Sequence, residues 1–305
     1  MTVTAPLASL ARRRAAAFSL LVLANLLWSA NWVIGRALRE AFDPFALNFW
    51  RWSVAVVALA PFALPLLAGK GALIRRHAGL LALLALTGVV LFQSFVYIGL
   101  RTTTAINGVL LNSSGPLFIL LASWAIDRQG ASARQVAGML VSLAGIVVII
   151  TRGEPARLLE LELHAGDAWV LAAMPVWGVY SVALRRMPRE LAGVPSLFMM
   201  CVAGVAMLAP AFALEALASP PRWPAAAEAA GVLYLGLGAS VVAFFCWNRG
   251  VSVLGAASAG FTMHLLPAFG TVLAMILLGE KFGAFHAAGI ATIVAGVILA
   301  STRRA

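Results

Sequence analysis

The sequence predicts an all-α polytopic membrane protein: ten transmembrane helices in a 5+5 inverted-topology repeat, with both termini cytoplasmic. Three observations predict it. Of 305 residues, 62% are hydrophobic and 11% are charged, with a mean hydropathy of +0.96. That is more apolar surface than a soluble fold of this length can bury. Apolar runs of about 20 residues, enough to cross roughly 30 Å of hydrocarbon, recur along the whole chain. Gly, Pro and Trp positions also recur at a near-constant register between the two halves. The runs are continuous and Leu/Ala-rich rather than alternating, which argues against a β-barrel.

Taken in order, the spans read as 17–36, 46–67, 77–98, 103–126, 134–151, 167–185, 194–214, 228–247, 256–278 and 284–301. The first follows Arg12-Arg13-Arg14 and runs through Trp28 and Trp32 without a convincing cleavage site, so it reads as a retained helix. The third and fourth are joined by a tight turn near Arg101. The chain thus divides into a cytoplasmic segment 1–16, a first five-helix repeat 17–151 and an extracytoplasmic linker 152–166. A second five-helix repeat 167–301 and a cytoplasmic end 302–305 follow.

The basic residues set the orientation. With the N-terminus inside, 14 of the 22 Lys and Arg fall in cytoplasmic loops and 7 outside, leaving Arg51 within the second span. This bias favours both termini inside, and it explains the net charge of +11 better than nucleic acid does. Cys201 and Cys246 lie in apolar runs, read as small hydrophobes, and form no metal or disulfide pattern.

The repeat is read from matched positions. Ala24, Trp28 and Arg36 match Ala173, Trp177 and Arg185 at an offset of 149. At an offset of 151, Gly99, Ala105, Pro116, Phe118, Gly138 and Gly145 match Gly250, Ala256, Pro267, Phe269, Gly289 and Gly296. Five spans are an odd number, so the halves enter the membrane from opposite sides. Substrate sites of such repeats lie near the midplane between the halves.

Leu27-Trp28-Ser29 with its counterpart around Trp177, the Gly turns entering spans four and nine, and the prolines inside those spans carry a family resemblance. So does Gly279-Glu280-Lys281 before a Gly-rich last span. The chain resembles the EamA-type members of the drug/metabolite transporter superfamily over nearly its whole length. Within them it is similar to bacterial exporters of amino acids, including aromatic ones. The resemblance implies an exporter in the bacterial inner membrane.

All eleven carboxylates map to loops or span ends. Proton- and sodium-coupled carriers often use an intramembrane Asp or Glu, so the simplest expectation is facilitated diffusion or exchange. No phosphate-cradling Gly-Lys-Ser/Thr loop and no His/Asp/Glu metal constellation occurs, so no cofactor, metal or enzymatic activity is expected. The expected partners are a small-molecule substrate and membrane lipid, with no nucleic acid; a monomer is expected, a dimer being the alternative.

The candidate substrate-binding residues are Trp28, Asn31, Gln93, Tyr97, Asn112, Ser113, Trp177, Tyr180 and His264, with Pro116 and Pro267 as hinges. Asn31 and Tyr180 each lie about one turn from a repeat-related Trp, and Gln93 and Tyr97 are four apart, so each pair shares a helix face. Asn112-Ser113-Ser114 reads either as a site or as interhelical glue. Trp28 and Trp177 read as ring faces for a substrate or as repeat packing. His264 lies one turn before Pro267, opposite Ser113 by the repeat. Trp247-Asn248-Arg249 reads as a membrane interface, and Arg51, between Trp50 and Trp52, as snorkelling to the surface. Gly138, Gly145, Gly289 and Gly296, seven apart within each span, mark a tight helix contact. A cavity of dipoles and rings suits a net-neutral zwitterion or an amphipathic solute. A drug or quaternary-ammonium efflux pump and a phosphorylated-metabolite exchanger are the alternatives.

Overall fold

The computed structural model describes residues 4–103, 105–160, 164–219, 223–278 and 283–301. The Gly279-Glu280-Lys281 motif and the loop cations Arg222, Lys281, Arg303 and Arg304 lie outside them. Among the described residues every regular element is helical. This is the expected solution where no water is present to satisfy backbone N–H and C=O groups.

Beside a short helix over Gly71–Arg76, the helices are α1 Thr4–Ala37, α2 Pro44–Leu67, α3 Ala78–Thr102, α4 Ala105–Asn112, α5 Gly115–Asp127 and α6 Ala133–Ile150. They continue with α7 Ala165–Arg186, α8 Val194–Ala218, α9 Ala226–Leu254, α10 Ala256–Phe261, α11 Leu265–Leu278 and α12 Ala284–Ser301. Among the described residues eight stretches are long and apolar enough to cross a membrane. The outward faces carry exposed Val57, Phe62, Leu214 and Leu217, the inverse of a soluble surface.

Two predicted spans are interrupted. The fourth breaks at Ser113-Ser114, between α4 and α5. The ninth passes through a 3₁₀ turn, Thr262–His264, between α10 and α11. Pro116 and Pro267 do not sit in the breaks but in the first turn of the helix that follows each. That position tolerates a missing N–H, because the first turn has no intrahelical acceptor for it. Gly255, at φ 87°, supplies the left-handed residue that turns α9 into α10.

Two further irregularities are π-helical turns, Ala85–Leu91 inside α3 and Leu235–Val242 inside α9. A π turn adds a residue and leaves carbonyls without their usual donor. Side chains of neighbouring helices supply it. Asn48 Nδ2 donates to the Val89 carbonyl at 3.0 Å, and Trp28 Nε1 donates to the Ala239 carbonyl at 3.0 Å.

The glycine reading holds for α6 and α12. A Cβ on Gly138 would come within 2.6 Å of the Gly296 oxygen, and one on Gly145 within 2.7 Å of the Gly289 oxygen. The two backbones are in direct contact, as small residues allow in a membrane. Glu215 near the end of α8 accepts from the amides of Phe45 and Ala46, neutralising the free N–H groups at the start of α2.

Candidate functional site

The centre of the molecule is an aromatic cluster built from α1, α3, α7 and α9. Trp177 is its hub. Its ring centroid lies 5.3 Å from Trp28, 5.3 Å from Trp247, 4.7 Å from Phe92, 5.0 Å from Tyr180 and 5.6 Å from Phe244. Trp28 and Trp177 meet edge to face at 88°, a favoured geometry for aromatic pairs. Trp247 is wholly buried in this cluster, so its assignment to the membrane interface is corrected; only Arg249 of that trio is exposed. Both flanking tryptophans and Phe244 outcompete the interface for it, because ring-on-ring packing buries more apolar surface.

Beside the cluster lies a cavity of ≈20 Å³, room for about one water molecule. Trp28, Asn31, Gln93, Asn112 and Trp177 line it, five of the predicted site residues. Trp32, Phe92, Val96, Met263 and Leu266 complete the wall. Met263 is the repeat counterpart of Asn112, a relation readable from the 151-residue offset. Two buried polar atoms on this wall have no hydrogen-bond partner: the Gln93 Oε1 acceptor and the Trp177 Nε1 donor.

The remaining predicted residues stand one layer back. Tyr97 is buried and accepts from Arg51. Tyr180 donates to Asn248 Oδ1 at 2.7 Å and packs against Trp177 with the rings tilted by 30°. His264 is fully buried, with Nε2 3.0 Å from the Ser113 carbonyl oxygen and Nδ1 unpartnered. Ser113 therefore meets His264 through its backbone.

Arg51 departs most from expectation. It does not snorkel: it is fully buried, while Trp50 beside it is exposed and Trp52 is not. Its Nε donates to Ser240 Oγ at 2.8 Å, and Nη1 donates to Asn31 Oδ1 at 3.0 Å and Tyr97 Oη at 2.6 Å. The π turn of α9 presents Ser240 to it, and the ring of Trp52 lies 5.3 Å away. The region beside the cavity thus contains a fixed charge as well as the dipoles and rings read from the sequence. Polar partners on three other helices make burial tolerable where α2 alone would force the side chain outward.

At one end of the bundle Asp167, the first acidic residue of α7, accepts from Thr103 Oγ1, Asn107 Nδ2 and the His164 amide. Arg36 donates to the carbonyls of Leu100 and Thr103 nearby. At the ends of α5 and α7, Arg185 and Arg186 pair with Asp127.

A sequence model of the EamA-like transporter family matches the chain twice, over residues 15–151 and 164–302. The chain belongs to the EamA-like transporter family. It is 30% identical over 284 residues to a probable terminal-alkyne amino-acid exporter of Streptantibioticus cattleyicolor, covering 93% of this chain and 92% of that protein. An aromatic amino acid exporter of Ancylobacter novellus is 26% identical over 278 residues, covering 91% and 94%. An uncharacterized transporter of Archaeoglobus fulgidus is 27% identical over 288 residues, covering 93% and 97%. A solved crystal structure superposes with a TM-score of 0.69 at 24% identity, covering 94% of this chain and 96% of that one. That last likeness concerns fold alone. This EamA-like protein is a multi-pass membrane transporter, and both of its matched segments line the cavity: Trp28, Asn31 and Gln93 come from the first, Trp177, Met263 and Leu266 from the second.

Proposed function

We propose that this protein is a facilitative or exchange transporter of the bacterial inner membrane. It exports small organic metabolites, foremost amino acids including aromatic ones, by alternating access. The observation that carries this reading is the ring- and amide-lined cavity between the two matched segments. Trp28 and Trp177 offer ring faces, Gln93 an open acceptor and Trp177 an open donor, a set suited to a zwitterion with an apolar body. The amino-acid exporters among the relatives support it.

The topology proposed with it is ten spans in two inverted five-helix repeats, 17–151 and 167–301, joined by the linker 152–166, with segments 1–16 and 302–305 cytoplasmic. The broken spans α4–α5 and α10–α11 supply the flexible backbone near the site, with Pro116 and Pro267 as hinges. At ≈20 Å³ the cavity is contracted, so the bound state requires the halves to separate.

A ligand-induced thermal-shift screen of the purified protein across amino acids, quaternary ammonium compounds and phosphorylated metabolites tests this. Stabilisation by aromatic and large apolar amino acids is the expected result. Stabilisation confined to either of the other two classes overturns the substrate assignment.

A further inference from the structure

The surroundings of the cavity are chemically one-sided although the fold repeats. By the offset of 149, Arg51 corresponds to Met200 and Asn31 to Tyr180. The first segment therefore contributes a cation and an amide where the second contributes a thioether and a phenol. The rings of Trp28, Trp177 and Trp247 gather beside it.

Arg51 carries its charge without an acid. The ion pairs of the described residues are formed by Arg39, Arg101, Arg157, Arg185 and Arg186, all at least partly exposed. Arg51 instead holds neutral oxygens, those of Ser240, Asn31 and Tyr97, and its Nη2 has no partner. Burying a guanidinium in this way is costly, and hydroxyls and ring faces offset only part of that cost. A helix whose only task was to span would carry Leu at this position.

The geometry also orients Asn31. Its Oδ1 accepts from Arg51 Nη1 at 3.0 Å and lies 3.5 Å from Tyr97 Oη. With the oxygen held by the cation, the NH₂ group is the part of this amide left for a solute, and Asn31 lines the cavity. The guanidinium polarises these donors, because a charge-assisted hydrogen bond is stronger than a neutral one. The cavity thus has a positive pole at Asn31 backed by Arg51, an aromatic flank at Trp28 and Trp177, and an acceptor at Gln93.

We propose that Arg51 is the specificity-determining residue of this transporter. Working through Asn31 once the halves separate and the cavity opens, it selects solutes that bear a carboxylate and rejects the corresponding amines and quaternary ammonium compounds. This rests on the transport reading above and deepens it. A solute carboxylate is the counter-charge that no acid among the described residues supplies. The amino group meets Gln93 Oε1, and the side chain lies against the rings. Arg51 is a positioning residue here, so its removal changes which solutes are chosen and not merely how well any of them binds. A unit charge about 6 Å from a carboxylate at an effective dielectric near 20 corresponds to roughly 100-fold in affinity.

The test compares four probes on the full-length purified protein by calorimetry: L-phenylalanine, 3-phenylpropionate, phenylalaninamide and phenethylamine. In the unaltered protein the two carboxylates are expected to bind at least about 10-fold more tightly than the two amines. Arg51→Gln is expected to weaken both carboxylates by about 10–100-fold while leaving the amines unchanged or tighter, and Arg51→Lys to restore most of the preference. Phenylpropionate binding without phenylalanine would keep the carboxylate rule and remove the amino-acid reading. Equal binding of phenylalanine and phenethylamine by the unaltered protein keeps transport of amino acids open and overturns the role of Arg51. So does an equal loss for all four probes in Arg51→Gln. The comparison within the unaltered protein stands even if Arg51→Gln does not fold. Failure of both carboxylates to bind overturns the proposal.

Discussion

His264 Nε2 and the carbonyl oxygen of Ser113 stand 3.0 Å apart and join the two broken spans. The residues are 151 positions apart, the offset that also relates Pro116 to Pro267. A carbonyl only accepts, so Nε2 must carry the proton and Nδ1, which has no partner, is a bare acceptor. Nitrogen NMR of histidine-labelled protein should show this ring as the Nε2–H tautomer. An Nδ1–H tautomer would contradict the contact. His264→Ala should lower stability by about 0.5–1.5 kcal/mol, since it removes the hydrogen bond that joins the two broken spans.

The contact between α6 and α12 leaves no room for a side chain. A Cβ on Gly145 would lie 2.8 Å from the Ile293 nitrogen as well as against the Gly289 oxygen. Backbone cannot yield as a flexible side chain can. Gly145→Val should therefore destabilise the protein by about 1–3 kcal/mol, read as a lower unfolding midpoint in detergent. An unchanged midpoint would mean that the helices are not packed this closely.

Trp177 combines two separable roles, and two substitutions divide them. Trp177→Ala removes the hub of the ring cluster and should cost about 3–5 kcal/mol of stability. Trp177→Phe keeps a ring but removes the unpartnered Nε1 donor on the cavity wall. It should fold and bind aromatic amino acids about 10-fold more weakly, a loss of ~1.4 kcal/mol. Retained affinity in Trp177→Phe would show that the indole N–H does not meet the solute.

Pro116 and Pro267 lie in the first turn of the helices that follow the two breaks, and neither lines the cavity. Restoring an N–H by Pro116→Ala lets the helix extend backward through the Ser113-Ser114 turn. The maximal transport rate should fall, with the half-saturating concentration little changed. A changed affinity at equal rate would reverse the assignment of hinge and wall.

Much of this was legible in the sequence, for reasons that also mark its limits. Span positions follow from long apolar runs, and the breaks follow from Asn112-Ser113-Ser114 and the prolines, because helix interiors seldom combine such residues. The pairing of Trp28 with Trp177 and of Ser113 with His264 followed from register alone. The π turns left no trace, since one inserted residue does not disturb an apolar pattern that has no polar face. Arg51 was misjudged because Trp50 and Trp52 beside it imitate a membrane interface. The partner that refutes this, Ser240, is 189 residues away. Trp247 was misread for the same reason: its neighbours in sequence, Asn248 and Arg249, are polar, whereas its neighbours in space are rings.

The central claim is carriage of amino acids through the cavity between Trp28 and Trp177, and labelled flux into proteoliposomes tests it most directly. With the purified protein reconstituted, uptake of labelled phenylalanine should saturate, be accelerated by unlabelled phenylalanine inside, and persist when a pH gradient is collapsed. Loss of flux on collapsing the gradient would remove the facilitative mechanism, and the absence of saturable flux for any amino acid would contradict the account itself.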